Sequence, residues 1–337
     1  MNILLTGGCG YIGSHTAVAL ASKGHEVILL DDFSNSERSV ADRIGQIVGR
    51  RPVVIEGDVR DLALLTQVFS THSIDGVIHL AGLKAVAESV ANPVQYYSAN
   101  TNGALSLVRA MQAANVRSLV FSSSATVYGT PQYLPLDEQH PLSPENPYGK
   151  TKWHIEHILA DVAASEHGWS ILNLRYFNPV GAHESALIGE KPLGIPNNVM
   201  PVIVDVAKGR RAQLQVYGAD YATRDGSAVR DYIHVMDLAQ GHVAAVEKVT
   251  LNREATTPSS CDFINLGTGR GTTVLELIAA FEKAWGKKLP YQISHRRPGD
   301  VAECYAATDK ALRVLHFKAA RDMGVICESR VRVAGLA

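Results

Sequence analysis

At 337 residues, with 46% apolar and 19% charged side chains, the chain is long enough for two packed domains and too apolar for disorder. A formal net charge of −1 gives no basis for nucleic acid or an anionic membrane as a partner. Cys9, Cys261, Cys304 and Cys327 show no CxxC spacing and no histidine at metal-ligand intervals, so they read as reduced thiols, not as a metal site or a disulfide framework.

The start runs directly into a strand with no basic leader, and no long apolar stretch follows, so a cytoplasmic globular protein is expected. Ile3-Leu4-Leu5 is a short apolar run leading into Thr6-Gly7-Gly8-Cys9-Gly10-Tyr11-Ile12-Gly13. A helical pattern then ends at Gly24, and the strand Val27-Ile28-Leu29-Leu30 closes on Asp31. Strand, glycine turn, helix, strand and an acid about 20 residues on is the arrangement that binds a dinucleotide. The glycines let backbone approach a pyrophosphate, which the helix N-terminus holds. Asp31 can accept ribose hydroxyls and repels a 2′-phosphate, which favours NAD over NADP, although Arg38 lies close by in sequence.

After the polar loop Ser34-Asn35-Ser36 come a helix to Val48 and a strand over 52–55. The strand ends at Gly57-Asp58-Val59, where Asp58 is placed to meet an adenine amine. A helix is expected over 62–69, a buried strand over 76–82, a long helix over 93–115 and a strand over 119–124. Alternation on this scale predicts a parallel sheet covered on both faces. In Asn146-Pro147-Tyr148-Gly149-Lys150-Thr151-Lys152, Asn146 can cap a helix and Pro147 suits its first position. Tyr148 and Lys152 then share one face. A phenol serves as a base near neutrality only if its pKa falls by roughly 3 units, to be supplied by Lys152, the helix end and a bound nicotinamide cation. His79, on an apolar strand, reads as a core histidine.

That helix is expected to run to about 166, with a strand over 171–176 behind it. Beyond Tyr176 the rhythm breaks. Residues 1–176 are read as the cofactor domain and 177–337 as a smaller substrate domain, with 233–262 packing back on the first. One helix is expected near 200–209 and another over 234–246, and 252–261 reads as a polar surface excursion.

Several runs now point one way: the glycine turn, Leu80-Ala81-Gly82-Leu83-Lys84, Phe121-Ser122-Ser123-Ser124-Ala125-Thr126-Val127-Tyr128-Gly129, Tyr148 to Lys152, and Arg175-Tyr176-Phe177-Asn178-Pro179-Val180-Gly181. With Ile195-Pro196-Asn197-Asn198 and Val229-Arg230-Asp231-Tyr232-Ile233-His234, they resemble the extended short-chain dehydrogenase/reductases, and within them the UDP-glucose 4-epimerases, as far as about Arg321. The resemblance implies a Rossmann-type doubly wound parallel sheet with a smaller C-terminal α/β substrate domain. It also implies NAD-dependent epimerisation at C4 of UDP-hexoses through a transient 4-keto sugar, and a homodimer. Tyr148, Lys152 and Ser124 would carry the chemistry. NAD would be met by Gly7, Gly10, Tyr11, Ile12, Gly13, Asp31, Asp32, Phe33, Asn35, Ser36, Asp58, Val59, Leu80, Ala81, Gly82, Lys84, Asn100, Ser122 and Phe177 together with Tyr148 and Lys152. The UDP-sugar would be met by Lys84, Ser124, Tyr148, Asn178, Asn197, Asn198, Tyr217, Arg230, Arg297, Asp300 and Cys304.

Two positions depart from the family pattern. Where the family has two consecutive asparagines beside the cofactor, this chain reads Ala99-Asn100, so one amide is gone, and the tail from Arg321 lacks the family's tryptophans, which throws its packing into question. A sugar-nucleotide 4,6-dehydratase is the nearest alternative, but Ala125 and Thr126 occupy the places of its Asp-Glu pair. A non-catalytic dinucleotide-binding regulator is the other, and such proteins commonly lack the Tyr and Lys kept here.

Overall fold

Strands that are apolar on both faces must be covered on both faces, and five such runs set the architecture. The computed structural model describes residues 1–191, 194, 196, 198–251, 257–297 and 299–336. In the first half, β1 (Asn2–Thr6), β2 (Glu26–Asp31), β3 (Val53–Glu56), β4 (Gly76–His79), β5 (Ser118–Ser124) and β6 (Ser170–Tyr176) alternate with helices. These are α1 (Tyr11–Ser22), α2 (Ser39–Val48), α3 (Leu62–Thr71), α4 (Val86–Ala91), α5 (Pro93–Tyr96), α6 (Gly103–Ala113) and α7 (Pro147–Ser165). The second half has shorter strands: β7 (Asn178–Val180), β8 (Leu214–Tyr217), β9 (Val229–His234), β10 (Ser260–Leu266), β11 (Gly271–Thr273), β12 (Tyr291–Ser294) and β13 (Glu303–Cys304). Its helices are α8 (Val199–Ala207), α9 (Val235–Thr250), α10 (Val274–Trp285), α11 (Asp309–Leu315) and α12 (Met323–Val333).

The main sheet runs β3-β2-β1-β4-β5-β6-β10, with every neighbouring pair parallel. One face buries Leu5, Leu29, Ile78 and Val120 against α1 and α9 residues such as Leu20, Val243 and Val246. The other buries Leu4, Val77, Leu119 and Phe121 against Leu107 and Met111 of α6 and Ile155 and Leu159 of α7. The fold is therefore the doubly wound parallel sheet expected from the sequence. Strand order reverses between β1 and β4, and at such a switch point the turns leaving the strands open a crevice. The short strands form a four-stranded sheet (β7, β9, β11, β13) and a β8–β12 pair, packed with α8, α10 and α12 around Ile203, Val216, Phe281 and Ile326.

The structure corrects four expectations. The long helix expected over 93–115 is interrupted by a π-helical turn, Tyr97–Asn102, and ends at Ala113 before Asn115, whose φ is +56°. α4, too short to announce itself by periodicity, precedes it. The polar excursion is overrun at its end by β10, where Ser260 and Cys261 pair with Ser170 and Ile171; residues 252–256 lie outside the described set. The tail, whose packing the sequence threw into question, forms α12, which buries Ile326, Cys327 and Val331 against the α10 layer.

Five histidines, His15, His79, His140, His234 and His242, are buried inside this frame. Burial is the largest cause that pushes His15 and His79 down to about 3 and His234 and His242 down to about 4, from an ordinary 6.5. Below 6.5 the unfolded chain takes up protons that the folded chain refuses, so stability falls as pH falls through the window from 6.5 to about 4. Urea midpoints at pH 7.5, 5.5 and 4.5 should decline steadily. A midpoint constant to pH 4.5 would mean that these rings titrate normally in the fold.

Candidate active site

The crevice at the switch point is built by glycine. Gly7 has φ +69°, and a Cβ there would lie 2.7 Å from the Ala81 amide nitrogen. A Cβ on Gly13 would lie 2.3 Å from the Gly7 carbonyl oxygen. Both gaps are filled by any other residue, so the β1 turn, the β4 turn and the first turn of α1 close onto one another only with glycine present. No side chain caps α1 at Gly10, which leaves its first N–H groups for an anion. A backbone cradle of this size at a bare helix start fits the pyrophosphate of a dinucleotide.

Beneath the cradle Asp31 is buried at the end of β2. One carboxylate oxygen accepts from the Cys9 amide at 2.8 Å, the other from the Phe33 amide at 3.0 Å and the Ser36 hydroxyl at 2.7 Å. It thus fixes the glycine turn and the following loop together. Asp32 binds the Ser34 amide at 2.9 Å, and Asn35 is exposed at the loop's tip. Arg38 is committed to Glu56 and stacks 4.8 Å from the Phe33 ring centroid. Asp58, above buried Val59, is gripped by Arg60, whose guanidinium holds the carboxyl below the ordinary range. Arg60 also donates to Ser98 at 3.1 Å, two residues before Asn100.

On the β4 side, Leu80 and Ala81 amides meet the Thr6 carbonyl and hydroxyl at 3.0 and 3.4 Å. Asn100, in the π-helical turn, accepts from the Leu83 amide at 2.7 Å and donates to the Leu83 carbonyl at 3.1 Å and to the Thr151 hydroxyl at 3.0 Å. It ties the Leu80–Gly82 turn to α7. Lys84 lies 3.7 Å from Glu190. Tyr11 donates to the Gly181 carbonyl at 2.8 Å, while Ile12 packs on the α1-side core.

The Asn146 side chain accepts from the Gly149 amide at 2.9 Å, and Pro147 is the first residue of α7, so Tyr148 falls in its first turn as the sequence indicates. Lys152 is buried, its Nζ 2.7 Å from the Ser122 carbonyl oxygen, 4.9 Å from the Phe121 ring and 5.9 Å from the Tyr148 ring. The Ser124 hydroxyl acts to lower the pKa of the Tyr148 phenol and accepts from the Thr126 amide at 3.2 Å. One expectation fails for the protein alone. Burial, the largest cause, pushes the Tyr148 phenol up, and the Ser124 hydroxyl only partly opposes it. Burial also lowers Lys152 to about 8, against Glu156. Burial is thus what any positive charge near the phenol has to offset before Tyr148 can serve as a base.

Sequence reasoning missed Glu156 and Arg175, whose side chains are buried together behind this site. Their signal was a charged residue on an apolar strand (Arg175) and another at the next helical turn after Lys152. His79 is a core histidine, its Nδ1 2.7 Å from the Thr6 hydroxyl.

On the substrate side, Phe177 is buried and its amide donates to the Leu266 carbonyl at 3.3 Å. Asn178 opens β7 opposite Tyr232. Asn198 donates to Glu190 at 3.2 Å, which brings it near Lys84; Asn197 lies outside the described residues. Arg230 faces Cys304 across the β9–β13 register, donates to the Val229 and Val301 carbonyls at 2.8 and 2.9 Å, and lies 3.6 Å from Asp300. Arg297 stacks 4.4 Å from the Tyr217 ring centroid. Cys304 packs among Ala125, Tyr128 and Phe177, next to the Ser124 end of β5, and burial pushes its thiol up to about 11.

The family model described as GDP-mannose 4,6 dehydratase matches residues 4–329. A UDP-glucose 4-epimerase of Bacillus subtilis is 50% identical over 327 residues, 97% of this chain and 95% of that protein. One from Bos taurus is 49% identical, covering 97% of this chain and 94% of its own. Among solved structures, the UDP-glucose 4-epimerase of Stenotrophomonas maltophila with bound NAD and formylated UDP-arabinopyranose superposes with TM-score 0.96 at 47% identity, covering 99% and 98% of the two chains. That of Bifidobacterium longum with NAD+ and UDP gives TM-score 0.94 at 48% identity over the same shares.

Proposed function

This chain belongs to the UDP-glucose 4-epimerases, within the broader family of the GDP-mannose 4,6 dehydratase model, and we propose that it interconverts UDP-glucose and UDP-galactose with NAD as its resident cofactor. The observation that carries this reading is the Ser124–Tyr148–Lys152 group at the end of β5, beside a glycine cradle at the strand-order reversal. The 4,6-dehydratase alternative lacks its acids, since Ala125 and Thr126 follow Ser124 and the Thr126 hydroxyl is spent on the Ser124 oxygen at 2.9 Å. Residues 1–176 would hold NAD, with Asp31 placed for its adenosine ribose, and residues 177–337 the UDP-sugar, with 233–262 packing back on the first part.

Bound NAD supplies a two-electron acceptor that returns what it takes, so a C4′ alcohol passes through a 4-keto sugar and comes back inverted without net oxidation. The protein's part is proton transfer and placement. Tyr148 accepts the 4′-hydroxyl proton and later returns it, while Ser124 orients that hydroxyl by hydrogen bonding. Lys152 adds the positive charge that favours the phenolate. Asn178, Asn198, Arg230 and Arg297 hold the UDP diphosphate and nucleoside, and Asp300 and Tyr217 complete that end. Firm grip on UDP and a loose grip on the hexose let the keto sugar present its other face.

Tyr148→Phe should reduce turnover of UDP-galactose by about 10²–10⁴-fold while leaving UDP binding nearly unchanged. Retention of most of the turnover would remove Tyr148 from the mechanism.

The substrate range follows from the size of Cys304. Its thiol is far shorter than a tyrosine ring and lies beside Phe177 and Ala125, next to the catalytic strand end. We propose that the space admits a 2′-N-acetyl group, so UDP-N-acetylglucosamine and UDP-N-acetylgalactosamine are also interconverted. Cys304→Tyr should abolish the N-acetyl activity and spare UDP-galactose. Wild-type protein that rejects both N-acetyl sugars would end this assignment.

We further propose a cytoplasmic homodimer. The four thiols are unpaired, and among the described residues no helix is long and apolar enough to cross a membrane. Val90 and Val94, 62% and 81% exposed on α4 and α5, with Val86 and Leu105 close to them in sequence, offer an apolar face. Sedimentation equilibrium at micromolar concentration should return twice the chain mass, and Val90→Lys with Val94→Lys should halve it. A wild-type monomer would refute the dimer.

A further inference from the structure

We propose that Glu156 is a positioning residue for this reaction, keeping the Lys152 ammonium charged and the Tyr148–Lys152 face of α7 in register with the serine end of β5, with Arg175 as its buried counter-charge. The proposal rests on the epimerase reading given above and deepens it.

Tyr148, Lys152 and Glu156 follow one another at four-residue spacing on one face of α7. Each meets a different one of three consecutive serines in β5. Ser124 acts to lower the pKa of the Tyr148 phenol, Lys152 donates to the Ser122 carbonyl at 2.7 Å, and the Ser123 hydroxyl donates to Glu156 at 2.6 Å. Glu156 and Arg175 are 1% and 2% exposed and joined by two hydrogen bonds of 2.9 and 2.7 Å. Ser123 and Arg175 are register partners between β5 and β6, so the strand pairing itself delivers the guanidinium to the carboxylate. The remaining Arg175 donor reaches the Tyr128 hydroxyl at 3.2 Å, and Tyr128 donates to Asn265 at 2.6 Å.

A buried ion pair adds little net stability, because apolar side chains of equal volume serve as well or better. Packing therefore gives no reason for a carboxylate here. What hydrocarbon could not do is present a negative charge to Lys152. The groups around the Tyr148–Lys152 pair are Glu156 on α7, His79 on β4, the Phe121 ring and Ser122 carbonyl on β5, Arg175 and Tyr176 on β6, and Tyr96 on α5. Burial keeps His79, Tyr96 and Tyr176 neutral near pH 7, and Glu156 is the charge that acts to raise Lys152 against burial.

The test is Glu156→Gln, which keeps the volume and an acceptor for Ser123 but removes the charge. In the NAD-loaded enzyme the alkaline limb of kcat against pH should move down by about one pH unit, with the KM for UDP-galactose little changed. The Lys152 side-chain NMR signal, assigned by its loss in Lys152→Met, should show the same downward shift in the titration of the ammonium. A purely structural role predicts a lower kcat and melting temperature with both midpoints where they were, and that result would overturn the proposal. Wild-type protein provides an arm that no folding defect can remove: Lys152 must be protonated at pH 7, and a neutral Lys152 there defeats the proposal. The NMR arm needs no turnover, so absence of epimerisation in wild type would count against the proposed function and leave the Glu156–Lys152 coupling to be judged by titration.

Discussion

A lysine ammonium taken out of water must be met by oriented partners, and the placement of Lys152 constrains much of what surrounds it. An isolated buried charge costs several kcal/mol even after relaxation. Here the ammonium is answered by a backbone carbonyl from Ser122, the face of Phe121 and the carboxylate of Glu156 one turn along. These partners come from two elements, so the answer exists only in one register of α7 over β5. A slip of one residue along the helix would turn Lys152 by about 100° away from the strand. The Asn146 cap and Pro147 start the helix one residue ahead of Tyr148, which makes a local signal set the phase of a tertiary contact.

The same helix is joined to the cofactor crevice through polar side chains. Thr151 receives Asn100, Asn100 holds both backbone groups of Leu83, and the preceding turn rests on Thr6 at the end of β1. Thr6 also meets His79. The route from the glycine turn to the Tyr148 helix is thus a chain of buried and partly buried hydrogen bonds, whose members are costly to leave unpaired. The π-helical turn has a clear use in this setting. By departing from α-helical spacing between α5 and α6 it places Asn100 inward between the β4 turn and α7.

Legibility in the sequence followed the length and apolarity of each element. The glycine turn, β1 to β6 and α7 were readable because apolar runs, glycines and a capped helix start are local signals. α4 and the two-to-four-residue strands of the second half were not, since elements so short carry no periodicity. α10 did carry a signal, the Thr273 and Glu276 capping box, that went unread. Of the site, Tyr148, Lys152 and Ser124 were found by spacing and resemblance. Glu156 and Arg175 were not, because their pairing depends on the β5–β6 register and the helix phase together. The burial that pushes the Tyr148 phenol up was not legible for a similar reason: favourable charges are visible in sequence, and the depth of burial is not.

The altered C-terminal tail shows how far the crevice's support extends. Without tryptophans, α12 fills the second core with Ile326, Cys327 and Val331 and turns smaller polar groups toward the loop that follows β7. The Ser329 hydroxyl accepts from the Ala182 amide at 3.0 Å, adjacent to Gly181, whose carbonyl receives the Tyr11 hydroxyl. That serine sits where Gly181, at φ +95°, restricts what can approach: a Cβ on Gly181 would lie 3.2 Å from the Ser329 hydroxyl oxygen. Buried Arg330 is weakly met, since its Nε has no hydrogen-bond partner among the described residues and its other nitrogens reach the Glu190 carbonyl only at 3.4 and 3.5 Å. Because Tyr11 is the first residue of α1, the last helix of the chain is connected through Ser329, the 181–182 turn and Tyr11 to the helix start that forms the anion cradle. The tail therefore supports the crevice by a polar route.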